Sequence, residues 1–317
     1  MEENNDIKFQ SIEEIELEYK EKGYICSPQI ATNLYLASHL EKPILIEGPA
    51  GVGKTELANI TASYLDSDFF RLQCYEGLDE SKAIYEWKYG KQLLYTQILK
   101  EKLNNILEDA DGLEASMAKL HQYDDIFFSK KFLEPRPLLK ALLSKNKSVL
   151  LIDEVDKSDQ EFEAYLLEIL SDYQISIPEI GIIKAGYKPI VFLTSNNTRE
   201  LSEALKRRCL HLYIPFPDAH LENEIIRLKV PGISEILRKQ LVAFIQQTRA
   251  LDMKKVPSIG ETIDWARSLL LLHADILNVE LVKKTANLFL KHEEDKAMLE
   301  NHIYDMIIKA VRIAGEK

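Results

Sequence analysis

The stretch that decides the fold is Gly48-Pro49-Ala50-Gly51-Val52-Gly53-Lys54-Thr55, GPAGVGKT. It matches G-x-x-x-x-G-K-[ST], in which glycines let backbone N–H groups and a helix N-terminus surround phosphate oxygens. We expect Lys54 to reach the β- and γ-phosphates of a nucleotide and the Thr55 hydroxyl to bind Mg²⁺. The apolar run at 44–46 predicts a strand before the loop, and 56–65 predicts a helix after it. A glycine-rich turn without a ligand is the alternative, and the two matching flanks disfavour it.

The second motif is VLLIDE, Val149 to Glu154. An apolar run of this kind predicts a strand buried on both faces, whose carboxyl end opens on the crevice where α/β sheets bind ligands. Asp153 is then placed to hold the Mg²⁺ shell, and Glu154 to orient and polarise an attacking water. The alternative is an acidic residue that caps the next helix. The upstream loop favours the catalytic interpretation, and the absence of an N-K-x-D signature favours ATP over GTP.

Further polar residues extend this prediction. Asn196 ends the run VFLTSN, where it could hydrogen-bond the water or the γ-phosphate, although a turn residue without a ligand is the alternative. Glu56, directly after Thr55, completes the predicted nucleotide-binding segment. We therefore expect ATP and Mg²⁺ as cofactors.

The chain alternates short apolar runs with helical stretches, which predicts an α/β fold with a parallel sheet covered by helices on both faces. The predicted strands are Ile44–Glu47, Phe69–Gln73, Val149–Asp153, Pro189–Ser195 and His211–Ile214. Residues 1–218 form the predicted nucleotide-binding core, with a helical insertion at 103–132 and a β-hairpin at 175–184. Every segment after Asp218 reads as helix, so residues 219–317 are predicted to form an α-helical lid domain.

Composition limits the function further. The formal net charge of −11 gives an average field that repels nucleic acid and anionic lipid, although a local basic groove could evade this average. Three cysteines at unrelated spacings suggest neither a disulfide framework nor a zinc site. No apolar run approaches the roughly 20 residues of a membrane span, and the N-terminus lacks the features of a signal peptide. We expect a cytoplasmic protein that neither binds nucleic acid nor inserts into membranes.

These motifs, in this order, resemble those of AAA+ ATPases. The hairpin between Glu154 and Asn196 narrows the resemblance to the MoxR family. Three stretches are similar to the CoxD-like branch, accessory ATPases of carbon monoxide dehydrogenase maturation: CYEGLDESKAIYEWKYGKQLLY (74–95), FEAYLLEILSDYQISIP (162–178) and TIDWA (262–266). The resemblance covers nearly the whole chain and is weakest over the acidic insertion.

The resemblance implies a homo-oligomeric ring, expected to be a hexamer, with ATP at the subunit interfaces. It implies that Asn196 is sensor 1 and that Arg208 is the arginine finger, with Arg207 as its rival and a surface ion pair as the alternative for either. A von Willebrand A domain partner, CoxE-like, and a protein client are also implied. The task would be chaperone-like remodelling, in the maturation of a metalloenzyme or the insertion of its metal or cofactor.

One departure from the family concerns sensor 2. Relatives often carry an arginine at the start of a lid helix, where this chain has Ser258 to Asp264 without one, and Arg267 lies one turn on. Two other functions remain open, namely a nucleotide-gated binding module with negligible turnover and a nucleic-acid-stimulated motor. The aromatic set Tyr75, Tyr85, Trp87, Tyr89 and Tyr95 is interpreted as a hydrophobic cluster rather than a client contact.

Overall fold

The computed structural model describes residues 9–95, 97, 130–178 and 180–315. The predicted helical insertion therefore lies almost wholly outside the described residues. The described chain divides into two compact units. The first unit contains the described residues within 36–45 and 65–211, and the second unit contains 9–35, 46–64 and 212–315.

The secondary structure alternates as the sequence predicts. The strands are β1 (Ile44–Glu47), β2 (Asp68–Gln73), β3 (Tyr85–Trp87), β4 (Leu133–Pro135), β5 (Ser148–Asp153), β6 (Gln174–Ile177), β7 (Gly181–Lys184), β8 (Ile190–Ser195) and β9 (Leu210–Tyr213). The helices are α1 (Ile12–Glu21), α2 (Pro28–Leu40), α3 (Lys54–Tyr64), α4 (Glu80–Ala83), α5 (Pro137–Leu143), α6 (Gln160–Asp172), α7 (Glu203–Arg208), α8 (Ala219–Lys229), α9 (Glu235–Arg249), α10 (Ile259–Leu271), α11 (Val279–Thr285) and α12 (Glu293–Gly315). Short 3₁₀ turns cover Val155–Lys157 and Ala286–Leu288, and residues 89–95 are also helical.

Five of these strands form one sheet in the order β2-β5-β8-β1-β9. They are the five predicted strands, and the predicted α/β class with a parallel sheet is confirmed. β5 and β8 are buried along their whole length, which explains their unbroken apolar runs. The parallel register of β2 and β5 pairs Phe69 with Val149 and ends with Gln73 beside Asp153. Two polar side chains thus reach the same edge of the sheet.

Two small antiparallel pairs lie in the first unit. β6 pairs with β7 over the stretch predicted as a hairpin, from Gln174 opposite Lys184 to Ile177 opposite Gly181. β3 pairs with β4, a pairing that the sequence did not suggest because Trp87 and Leu133 lie 46 positions apart in the chain. Of the aromatic set, Trp87 lies in the core of this unit, Tyr85 packs partly against it, and the remaining tyrosines are exposed: Tyr75, Tyr89 and Tyr95.

In the second unit, α1 packs against α3 of the phosphate-binding segment. Ser11 caps α1, and its side chain accepts a hydrogen bond from the backbone N–H of Glu14. The buried Tyr19 hydroxyl donates to Thr61 Oγ1 over 2.8 Å, and Tyr64 donates to Glu14. These contacts hold the helix that follows the loop.

Residues 219–315 contain helices and a 3₁₀ turn but no strand. Their core is built around three aromatic side chains, since Trp265 lies 4.6 Å from Phe289 and 5.6 Å from Phe244 between ring centroids. Trp265 also satisfies its buried indole by donating to Thr285 over 2.8 Å. Across the described helices, none combines the length and apolarity that a membrane span requires.

Candidate nucleotide site

The phosphate-binding loop follows β1 directly and leads into α3, in the second unit. Lys54 is the first residue of that helix and is only 6% exposed. Its ammonium donates to the backbone oxygens of Gly48 at 2.6 Å and Pro49 at 2.8 Å. The loop therefore carries a buried cation beside a helix N-terminus, an arrangement that suits a phosphate group.

Two glycines in this loop are required by close approach. A Cβ at Gly48 would lie 2.1 Å from the backbone oxygen of Ile214, and Gly48 has a positive φ of 148°. A Cβ at Gly51, with φ 74°, would lie 2.4 Å from the Cβ of Ser258. The carbonyl of Gly51 also accepts a hydrogen bond from the N–H of Ile259 at 3.2 Å. The loop is thus packed against the start of α10.

This contact involves the start of α10, the segment in which relatives often carry the sensor 2 arginine. Ser258 is the N-cap of α10 and forms a reciprocal capping box with Glu261. At the start of this helix, the residue that packs against the phosphate-binding loop is therefore Ser258 and not an arginine. Arg267, the possible substitute, is half exposed and lies 3.7 Å from Asp264.

Asp153 lies in the first unit, at the end of β5, and its carboxylate is almost fully buried. Arg71 of β2 donates to Asp153 Oδ2 from Nε at 3.1 Å and from Nη2 at 2.6 Å. Thr194 of β8 donates to Oδ1 at 2.5 Å. A buried carboxylate needs such partners, because an unpaired charge away from water is costly.

Glu154 follows in the left-handed conformation, with φ 56° and ψ 50°, and its N–H donates to Thr194 Oγ1. Gln73 and Lys157 both donate to Glu154 Oε2, each at 2.7 Å. Asn196 donates from Nδ2 to Oε1 at 3.2 Å. The predicted base and the predicted sensor are thus in direct contact, and three donors restrain the carboxylate.

Asp156 organises the loop that carries Asn196. One of its oxygens accepts hydrogen bonds from the N–H groups of Asn196 and Thr198 and from the Thr198 hydroxyl. Burial alone would raise the pKa of Asp156, but these hydrogen bonds outweigh it and hold the pKa below its ordinary value. Asp156 is therefore ionised and acts as a fixed acceptor.

The sequence predicted Asp153, Glu154 and Asn196, and the first unit brings these three together. It did not predict the two cations, the amide and the hydroxyl around them, which belong to Arg71, Lys157, Gln73 and Thr194. The register of β2 and β5 brings Arg71 and Gln73 to this place, since it pairs Gln73 with Asp153 and leaves Arg71 two residues earlier on β2. That register cannot be read from the composition of either strand.

The predicted arginine finger lies at the end of α7 in the same unit. Arg208 is exposed, donates from Nε to the Ser171 hydroxyl and donates from Nη1 to the Ala204 oxygen at 3.2 Å. Arg207 is also exposed. The choice between the two arginines therefore stays a prediction.

The donor chemistry fits ATP and Mg²⁺. The Asp153 carboxylate of the first unit and the Thr55 hydroxyl of the second unit each offer a hard oxygen of the kind that Mg²⁺ prefers. Within the described ranges, no group of three or more His, Cys, Asp or Glu residues could hold a metal alone. Mg²⁺ commonly binds through one or two protein oxygens, waters and the phosphates of its nucleotide.

Fold and loop together define a P-loop nucleotide-binding protein of the α/β class. Residues 43–209 match the model of the AAA domain family, dynein-related subfamily. This match spans more than half of the chain, and the protein belongs to that family. It therefore carries an AAA+ ATPase domain.

The chain is also similar to individual proteins. The chain is 26% identical to an uncharacterized protein of Staphylococcus aureus strain USA300 over 277 residues, which cover 83% of this chain and 90% of that protein. A counterpart from the bovine strain RF122 is 25% identical with the same coverage. Among solved structures, the Thermotoga maritima RuvB Holliday junction branch migration motor matches with a TM-score of 0.46 and 18% identity, covering 94% of this chain and 80% of that one.

Proposed function

We propose that this protein is a Mg²⁺-dependent ATPase of the MoxR type that assembles into a ring, expected to be a hexamer, and remodels a protein client. The observation that carries the proposal is the contact of Glu154 with Asn196, one residue after the buried Asp153. In a site for hydrolysis, a carboxylate that accepts protons must lie beside a group that orients the attacking water. The complete loop of Gly48 to Thr55 supplies the phosphate-binding part.

The roles follow from the chemistry of each group. Lys54 and the loop N–H groups bind the phosphates, and Thr55 with Asp153 would hold Mg²⁺, which neutralises phosphate charge when bound. Glu154 polarises the water after Gln73 and Lys157 release its Oε2 atom. Asn196 keeps contact with the other oxygen and orients the water.

The finer parts of the proposal rest on the family resemblance. Arg208, or its rival Arg207, reaches the nucleotide of the neighbouring subunit, because a permanently charged guanidinium can spread over developing phosphate charge. Residues 1–218 act as the core and 219–317 as the lid. The ring works in the cytoplasm with a von Willebrand A domain partner in the maturation of a metalloenzyme.

The test replaces Glu154 by glutamine. Glu154→Gln keeps the size of the side chain but removes the base, so hydrolysis should fall by at least about a hundredfold while nucleotide binding is retained. Phosphate release and binding of a fluorescent ATP analogue measure the two quantities. Glu134→Gln is the matched control, since Glu134 is a partly exposed glutamate paired with Lys88 in the same unit.

The outcomes separate the hypotheses. An unchanged rate in Glu154→Gln would remove Glu154 from its role. Wild-type protein that binds ATP but shows no Mg²⁺-dependent hydrolysis, alone or with its partner, would favour the nucleotide-gated binding module. Proteins that co-purify with Glu154→Gln in ATP, and not with wild type in ADP, would identify the client.

A further inference from the structure

Arg71 contacts Asp153 in the candidate site but has no role in the proposed mechanism. Two of its nitrogens donate to one oxygen of Asp153, at 3.1 Å and 2.6 Å. The Asp153 side chain is 4% exposed, whereas that of Arg71 is 48% exposed. A solvent-reaching guanidinium thus sits on a buried carboxylate.

The sheet explains how Arg71 arrives there. Gln73 is paired with Asp153 in the register of β2 and β5, and Arg71 lies two residues earlier, on the same face of the strand. Thr194 occupies the other oxygen of Asp153 from the opposite neighbour, β8. The oxygen that Arg71 covers, Oδ2, is therefore the one that faces away from the hydroxyl of Thr194.

Arg71 also acts on the second carboxylate through Gln73. Its Nη2 donates to Gln73 Oε1 at 2.7 Å, and Gln73 Nε2 donates to Glu154 Oε2 at 2.7 Å. Because the amide oxygen is taken by Arg71, the amide nitrogen is turned toward Glu154. One guanidinium thereby links Asp153 to the group that restrains Glu154.

We propose that Arg71 is a resident cation on Asp153 that a divalent metal ion must displace, so that Arg71 sets the metal affinity of the ATPase. The inference rests on the proposed function, since it concerns the same Asp153. Two cations repel each other at one carboxylate oxygen, and Arg71 is the one that can move into water because about half of its side chain is already exposed. Its departure also frees Gln73 Oε1, which loosens the hold on Glu154. Arg71 is a positioning residue in this scheme.

The test compares the Mg²⁺ affinity of neutral and charged variants of the full-length protein. Arg71→Gln and Arg71→Met remove the competing charge, and Arg71→Lys retains it. Loss of one charge-assisted contact predicts about a tenfold lower half-saturating Mg²⁺ concentration in both neutral variants. In Arg71→Lys that concentration should stay within about threefold of wild type. The readout is the Mg²⁺ dependence of the dissociation rate of a fluorescent ADP analogue, with Mn²⁺ binding followed by electron paramagnetic resonance as a second measure.

Arg136→Gln is the matched control, because Arg136 is a similarly exposed arginine of the same unit that pairs with Glu86. Its half-saturating concentration should equal that of wild type. Affinity for the analogue in EDTA should be the same in every variant, and circular dichroism reports folding. If one of the two neutral variants does not fold, the half-saturating Mg²⁺ concentration of the other is compared with that of wild type.

Each result bears on the inference. Unchanged or weakened Mg²⁺ affinity in the neutral variants, with Mg²⁺-dependent binding in wild type, overturns the role of Arg71 and leaves the proposed function standing. If Arg71→Lys raises the Mg²⁺ affinity as much as the neutral variants do, the positive charge of Arg71 is not what limits that affinity. Wild-type protein that binds neither the analogue nor Mn²⁺ overturns the inference and the proposed function together.

Discussion

At the scale of single residues, the phosphate-binding loop depends on the missing Cβ of Gly48. The nearest atom to a Cβ at this position is a backbone oxygen, that of Ile214, which cannot rotate away as a side chain could. The N–H of Ile214 also donates to the Glu47 oxygen at 2.8 Å, so its backbone is held in place. Glycine at 48 is therefore a steric requirement of the loop.

Gly48→Ala should lower the free energy of unfolding by about 2 kcal/mol or more, from the positive φ and the clash with the Ile214 backbone. The same change should weaken ATP binding, because the loop must shift to relieve the clash. Urea denaturation and binding of a fluorescent ATP analogue measure the two effects. Gly186→Ala is the control, since a Cβ there meets nothing within 4 Å. Equal stability of the two variants would contradict the steric explanation.

At the scale of one element, α10 is stabilised at the end that touches the loop. Glu261 accepts hydrogen bonds from the N–H and the hydroxyl of Ser258, each at 2.9 Å, and pairs with Lys255 at 2.6 Å. Burial would raise the pKa of Glu261, but the contacts with Lys255 and Ser258 outweigh it and lower the pKa from 4.5. The ionised form of Glu261 therefore stabilises the start of this helix.

Ser258→Ala should cost about 1 kcal/mol at neutral pH, because the capping hydroxyl is lost. Because folding lowers the pKa of Glu261, its ionised form adds to the free energy of unfolding at pH values above the unfolded pKa. This contribution is lost as pH falls through the pKa of the folded state. The difference between wild type and Ser258→Ala should thus be constant near neutral pH and shrink below about pH 4. Chemical denaturation across pH 3 to 7 measures it.

Ser234→Ala is the control for this pH dependence. Ser234 caps α9 by accepting from the N–H of Leu237, and no glutamate returns the hydrogen bond. Because no glutamate takes part in this cap, the loss in the free energy of unfolding caused by Ser234→Ala should not change with pH. A pH-independent difference for Ser258→Ala as well would mean that Glu261 does not contribute through its charge.

At the scale of the whole molecule, the proposed ring divides each active site between two subunits. One subunit then supplies Lys54 and Glu154, and its neighbour supplies Arg208. Arg208 is exposed on the surface of its unit, as a residue that acts on another subunit must be.

Arg208→Ala and Lys54→Ala should each abolish hydrolysis, whereas a mixture of the two proteins should recover part of it. In mixed rings, some sites combine an intact loop with an intact arginine. Phosphate release across mixing ratios measures the recovery, and Arg207→Ala mixed in the same way tests the rival arginine. Absence of recovery, with mixed rings shown by size-exclusion chromatography, would count against a shared site.

The sequence by itself determined the features whose chemistry is local. The loop of Gly48 to Thr55 is recognisable because glycines, a lysine and a flanking strand and helix must follow one another along the chain to surround a phosphate. The five strands of the sheet were predicted because buried strands require unbroken apolar runs. Asp153 and Glu154 were found because they end such a run.

Only the tertiary structure decided which groups surround those carboxylates. Arg71 lies 82 residues from Asp153, and Ser258 is more than 200 residues from Gly51, so no local pattern connects them. The pairing of β3 with β4 was missed for the same reason. Strand register and close backbone approach are set by the packing of distant segments, and these place Arg71 on Asp153 and a serine against the phosphate-binding loop.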